Sequence, residues 1–339
     1  MAVSGGLAVV LCAVAVLLPA PYVIESPGPT FNTIGEVNGR PLIQVEGTES
    51  FPPEGELDLT TVFVSGGPNG QVNVLDTFRA WLSPTENVLP EQLVYPAGTT
   101  PAELQEQNAV AMTSSQESAI AAALSYENIA FTEELTVAGV VPDSTADGAL
   151  EEGDILRSVD GEEISTISVL RRELNDADGA PVTISMVRDG VVTDVEMTPT
   201  RSPEGDYQLG IVLASTFDFP FDVTIQLDNV GGPSAGTMFA LGIIDNLTEG
   251  DLTGGRHFAG TGTIDSAGAV GPIGGIAQKL VGARSAGAEF FLAPAENCDE
   301  VVGNIPDGLT VVKMETLDDA VAAVELLGSG GDASRLPSC

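Results

Sequence analysis

The hydrophobic pattern of this chain changes period twice, and the two changes bracket a stretch built differently from what lies on either side. Upstream, Asn108 to Leu124 (NAVAMTSSQESAIAAAL) has a serine-rich start and an alanine-rich continuation, which predicts a helix. From Leu135 the pattern becomes short strands with turns: TVAGVVPDSTADGALEEGDILRSVDGEEI, a helix near Ser168–Leu174, then PVTISMVRDGVVTDVEMT. At Tyr207 it changes again. Strand-like QLGIVL and FDVTIQL lead into GGPSAGTMFALGIIDNL, a glycine-rich turn opening an apolar helix, and strand–helix units follow to about Leu327. No internal repeat of solenoid period is present. At 339 residues the chain is too long for one ordinary domain and suits two.

Composition narrows the partners. With 43% hydrophobic residues there is enough apolar surface for a core, so disorder over the whole length is excluded despite a net charge of -37. That charge, 49 acids against 12 bases, excludes nucleic acid as a partner, since a polyanion is repelled and no basic stripe exists to release counterions. Anionic lipid headgroups are disfavoured for the same reason. The acid excess reads as a solubility device, or as repulsion that helps select substrates.

Ala2 to Leu18 (AVSGGLAVVLCAVAVLL) carries no charge, and Pro19 and Pro21 stop any helix there. The segment 1–22 reads as a short single-pass anchor, with a cleaved signal and a buried helix as alternatives. As an anchor it places everything after Tyr22 outside the cytoplasm. Residues 23–55, rich in Pro and Gly, read as an extended leader with one or two strands, so that the part from about Glu25 should fold by itself. Leu57–Val64 is a β-branched strand. The cysteines fall at 12, 298 and 339. None has metal-ligand spacing and the chain has one histidine, His257, read as a surface or loop residue, so no metal is expected. Cys298 and Cys339 are either a disulfide tying down the tail 329–339 or two free thiols.

Residues 126–203 resemble a PDZ domain. The resemblance rests on Val140–Ala146 (VVPDSTA), Ala149–Leu156 (ALEEGDIL) and Val159-Asp160-Gly161. Asp160-Gly161 and Arg188-Asp189-Gly190 suit tight hairpin turns with positive φ. A PDZ fold implies capture of an extended peptide by strand addition, often through its terminal carboxylate. Leu124-Ser125-Tyr126 stands where the carboxylate loop is expected, although it departs from the family's glycine–hydrophobic pattern.

The chemistry concentrates in Gly231-Gly232-Pro233-Ser234-Ala235-Gly236. Small residues around one serine before a helix let backbone N–H groups converge on an oxyanion, with Gly232, Pro233 and Ala235 as the backbone around it. A histidine-based triad would require His257, the chain's one histidine, so a lysine is the better base, and lysine occurs only at Lys279 and Lys313. Lys279 follows a second small-residue stretch, Gly271-Pro272-Ile273-Gly274-Gly275. Read singly, Ser234 suits a structural serine in a turn and Lys279 a surface lysine on a helix.

Together these stretches resemble the proteolytic domain of the Lon family. The resemblance implies Ser234 as nucleophile, Lys279 as general base and Thr261, in Gly260-Thr261-Gly262-Thr263-Ile264, beside the dyad. Met112–Ala119 (MTSSQESA) resembles the family's earlier serine-rich helix, so the PDZ-like part is inserted into the peptidase part. No Gly-Lys-Ser/Thr is present, so no P-loop and no cofactor is expected. The expected architecture is α+β: an anchor (1–22), a leader (23–55), a discontinuous Lon-like proteolytic domain (56–125 and 204–328) and a mainly-β PDZ domain (126–203). The expected function is an ATP-independent serine endopeptidase anchored in the cell membrane, cleaving unfolded or extended protein and peptide substrates outside the cytoplasm with PDZ-mediated substrate capture, and able to form a homo-oligomer. The alternative is a non-enzymatic PDZ scaffold whose Lon-like half only assembles subunits.

Overall fold

A computed structural model of the chain describes residues 18–339 apart from 38, 97, 203, 204, 228 and 229. The expected membrane segment therefore lies largely outside the described residues; among these, no helix is long and apolar enough to cross a membrane. Two compact units form. One combines the chain up to Tyr126 with Val223–Cys339; the other is Glu127–Asp222.

The larger unit is organised by a six-stranded sheet. Its first half uses β1 (Tyr22–Asn32), β2 (Glu56–Ser65), α1 (Val74–Trp81), β3 (Asn87–Pro90) and α2 (Pro101–Tyr126). β1 pairs antiparallel with both β2 and β3, and Val23 within it is fully buried. This corrects the expectation of a leader: the Pro/Gly-rich segment 23–55 begins with an interior sheet strand, its prolines accommodated where the register shifts between Pro27 and Thr30. α2 starts with proline at its first position, and Thr100 and Glu103 cap each other's backbone N–H groups. Met112, Ser115 and the run Ala119–Leu124 are buried, which is why the helix's second half is built from small and apolar residues.

The chain then builds the smaller unit: β4 (Thr132–Val140), β5 (Ile155–Val159), α3 (Ile167–Asp176), β6 (Val182–Arg188), β7 (Val191–Met197) and β8 (Ile211–Asp218). Its sheet runs β7-β6-β5-β4-β8, with a two-residue strand, Glu162–Glu163, on β5. The hairpin turns Asp160-Gly161 and Asp189-Gly190 place both central residues at positive φ, the geometry that matches strand twist. The expected boundary at residue 203 falls short, because β8 pairs with β4 along its whole length, from Ile211 opposite Val140 to Asp218 opposite Thr132.

The second half of the larger unit contains α4 (Gly236–Leu247), β9 (His257–Gly260), α5 (Ile276–Ala286), β10 (Phe290–Pro294), β11 (Thr310–Met314) and α6 (Leu317–Gly328). β9, β10 and β11 are mutually parallel, and β9 pairs in parallel with β2, giving the order β11-β10-β9-β2-β1-β3. The buried strands read as unbroken apolar runs for this reason. Cys298 and Cys339 form a disulfide, and Cys339 packs against the cluster that includes Ile276 and Leu280 of α5. The tail is thus part of the body.

Removing Tyr22–Ile24 takes away buried Val23 and Ile24, worth about 1.5–3 kcal/mol each, together with their ladder to β3. A chain starting at Glu25 is expected to melt at least several degrees below one starting at Leu18. Thermal unfolding followed by circular dichroism checks this.

Candidate active site

Ser234 sits in a turn held from behind by α2. The N–H of Gly232, at φ 89°, donates to the Asn108 carbonyl at 3.1 Å, and Ser115 Oγ donates to the Pro233 carbonyl at 2.9 Å. A Cβ on Gly231 would stand 2.7 Å from Asn108 Cβ, so glycine is needed for this approach. The opposite wall is fixed by Asn297, whose amide bonds both the N–H and the carbonyl of Ile273 at 2.9 Å. Asn108, Ser115 and Asn297 are positioning residues that the sequence does not assign; for Asn108 and Ser115 the signal is the serine-rich helix that carries them.

Between these walls Lys279, in the first turn of α5, reaches the serine. Its Nζ is 2.9 Å from Ser234 Oγ and 2.8 Å from Thr261 Oγ1. Lys279 is 2% exposed and Thr261 1%, while Ser234 is half-buried and lines an open cleft. No acid pairs with the amine among the described residues, and burial lowers its pKa to about 7. Thr261 orders the protons. Its hydroxyl donates to the Ser234 carbonyl at 3.0 Å and so must accept from Nζ. A neutral amine that donates to Thr261 keeps its lone pair for the hydroxyl proton of Ser234. The threonine also sits directly after β9, and its N–H donates to the Leu292 carbonyl of β10.

The structure brings Ser234, Lys279 and Thr261 together and revises the oxyanion set. The Gly232 N–H is already used and Pro233 has none. The N–H groups of Ser234 and Ala235, at the start of α4, donate to no acceptor among the described residues and are available to a developing negative charge. Ile273 lines the cleft with Lys279, and Ile276 is fully buried in the cluster behind it. The cleft, about 850 Å³, is mainly walled by β2 and the Ser234 turn. β9 pairs with β2 only from Glu56 to Leu59, so Thr61, Val62 and Phe63 line the cleft with a free strand edge on that side among the described residues.

Two expected placements are corrected. Leu124, Ser125 and Tyr126 lie at the end of α2 in the larger unit, not in the smaller one. The smaller unit's own groove, about 610 Å³, lies between Ile167, Leu170 and Leu174 of α3 and the segment Leu209–Leu213. Gln208-Leu209-Gly210-Ile211 carries the glycine–hydrophobic pattern, with Gly210 at φ 78°; it lies at the C-terminal end of the unit, where strand-like QLGIVL was the signal. His257 is a strand residue rather than a loop residue. Its side chain is 14% exposed, with Nδ1 2.8 Å from Glu56 and Nε2 3.0 Å from Asp58. These three are the one group of potential metal ligands found close together among the described residues.

Comparison with known proteins finds a likeness for part of this chain. Residues 228–327 match the Lon protease (S16) C-terminal proteolytic domain. The curated relatives include Lon protease 2 of Herpetosiphon aurantiacus, 40% identical over 93 residues, which is 26% of this chain and 11% of that protein. Lon protease of Clostridioides difficile is 36% identical over 102 residues, 29% of this chain and 13% of that protein. The chain thus spans about an eighth or less of these two relatives. Among solved structures, the PDZ domain of the SdrC-like protein from Listeria innocua aligns with TM-score 0.23 and 21% identity, covering 23% of this chain and 91% of that one.

Proton abstraction by this amine requires its neutral form, so the rate of any cleavage that uses it as base should rise with pH on a limb centred near 7 and level off above it. The same group affects stability. The unfolded chain holds this proton up to about pH 10.4 and the folded chain releases it near 7, so between these values the unfolded state binds more protons and stability rises with pH. A pH–rate profile on a short peptide, with melting temperatures at the same pH values, checks both.

Proposed function

We propose that this chain is a serine endopeptidase in which Ser234 and Lys279 act as a dyad without ATP. The observation that carries the reading is the buried Lys279 amine, 2.9 Å from Ser234 Oγ and without an acidic partner among the described residues. Ser234 Oγ attacks the scissile carbonyl carbon while Nζ takes its proton. The oxyanion forms at the N–H groups of Ser234 and Ala235. Lys279, now an ammonium, gives the proton to the leaving amine, and the acyl-enzyme remains. Water then attacks with Lys279 again as base, releasing the acid and restoring Ser234. Thr261 holds the amine in line throughout.

The free edge Thr61–Phe63 suits a substrate that enters as an extended strand, bonded through its main chain. Unfolded or extended polypeptides are therefore the substrate class. The groove between α3 and Leu209–Leu213 serves the smaller unit as a PDZ-type capture site for a polypeptide end or loop. The reading also places the catalytic part outside the cytoplasm on a single-pass anchor, which the uncharged run Ala2–Leu18 and the Cys298–Cys339 disulfide support. Assembly into a homo-oligomer belongs to the same reading.

Ser234→Ala and Lys279→Ala are each expected to lower turnover by about a thousandfold or more, with the double variant no worse, because the two residues act as a unit. Thr261→Ala should cost roughly tenfold to a hundredfold. Peptide cleavage by variants shown to be folded tests this; a folded Lys279→Ala protein with wild-type turnover at pH 7 would sink the assignment.

A further inference from the structure

The apolar side of α1 points the wrong way for a helix that stabilises a core. Its buried side is Ala80, with Thr77 half-buried beside it, packed toward Ile24, Val72 and Val88. Its outward residues are Val74, Leu75, Phe78, Trp81 and, just past its end, Leu82, between 44% and 72% exposed. At 100° per residue these five fall within one arc of about 120°. Asp76 and Arg79 lie together on the flank between that arc and Ala80. The chain has a single tryptophan, and it is the most exposed of the five.

The patch lies where the uncharged run Ala2–Leu18 ends. The N–H of Val74, the first residue of α1, donates to the Leu18 carbonyl at 3.2 Å. Pro19 and Ala20 pair with Asn73 and Val72. The next turn of chain joins the same end: Glu91 N–H donates to the Pro21 carbonyl, Tyr22 is paired with Pro90, and Leu93 is 77% exposed. Exposed Leu18 and Tyr22 complete the surface.

We propose that α1 is an interfacial helix that lies in the bilayer surface beside the anchor. This rests on the anchor belonging to the proposed function. Water alone does not favour so many exposed large apolar side chains on one short helix. Tryptophan, tyrosine and phenylalanine suit the headgroup level, with an apolar body and, for the first two, a polar edge. The local charges, Asp76, Glu86 and Glu91 against Arg79, give no attraction to anionic headgroups, so the contact is hydrophobic and fits zwitterionic lipid. A second attachment would stop rotation about a single span and fix the direction of the cleft. Phe31, in the cleft wall, is nine residues along β1 from Tyr22, roughly 30 Å at a strand's rise. The cleft wall at Phe31 would then stand at most about that far above the membrane.

The single tryptophan makes the test direct. The full chain is reconstituted into phosphatidylcholine vesicles containing phosphatidylcholine brominated either near the headgroup or near the chain ends. Trp81 emission should fall by about half or more with shallow bromines and much less with deep ones, since an interfacial helix sits about 5–10 Å into the boundary. Leu75→Ser/Phe78→Ser/Leu82→Ser should abolish the quenching while the protein still floats with the vesicles and still cleaves a short peptide. A protein that floats with unquenched Trp81 overturns the inference while leaving the anchor intact. So does Trp81 shielded from aqueous iodide without bromine quenching, which would mean that a second copy or another segment covers the patch. A full chain that does not float removes the anchor, and the inference with it.

Discussion

Everything in the larger unit that bears on chemistry depends on keeping one amine dry. A lysine in water is protonated at neutral pH and cannot take a hydroxyl proton. Lys279 escapes because α5 begins at Gly275, in the left-handed region, and turns the side chain inward as the helix starts. A Cβ at Gly275 would meet Val62 of β2 at 2.9 Å, so the glycine also lets the helix start close to the sheet. The absence of an acidic partner among the described residues matters in a chain with 49 acids. A carboxylate within contact would favour the ammonium and undo the effect of burial.

The frame that holds this geometry is drawn from distant parts of the chain. Thr261 follows β9, whose parallel pairing with β2 is reinforced by His257 held between Glu56 and Asp58 and by Thr60 Oγ1 on the Gly260 carbonyl. Ser234 is positioned by α2 through Asn108 and Ser115. The disulfide brings Cys339 against the buried cluster that includes Ile276 and Leu280 of the helix that carries Lys279. Since β1 lies inside the same sheet, the segment after the apolar run belongs to the scaffold of the site.

The site was more legible in the sequence than the frame. Ser234 and Lys279 stand in small-residue stretches whose chemistry is local, and two lysines in 339 residues leave few choices of base. β1 was harder to read because its prolines argue against an interior strand; a register shift absorbs them, and that is a tertiary event. The oxyanion set was misread because the Gly232 N–H is consumed by Asn108, over a hundred residues earlier. Leu124–Tyr126 was chosen as a peptide-binding segment because it precedes the first strand of the small unit, whereas the groove is built from the strand that comes last. The sequence does not mark Val74–Trp81 as a surface helix, because its apolar arc has the spacing of a core helix and nothing local says which way it faces.

The central claim is that Lys279 is a neutral amine near pH 7 because it is buried. The chain's two lysines make this measurable without crowding. Lysine labelled with 13C at the ε-carbon gives two resonances, and Lys313→Ala identifies the one from Lys279. The account predicts that the Lys279 resonance titrates near 7 in the folded protein. A Lys279 resonance that titrates in the ordinary lysine range, near 10.4, would contradict it.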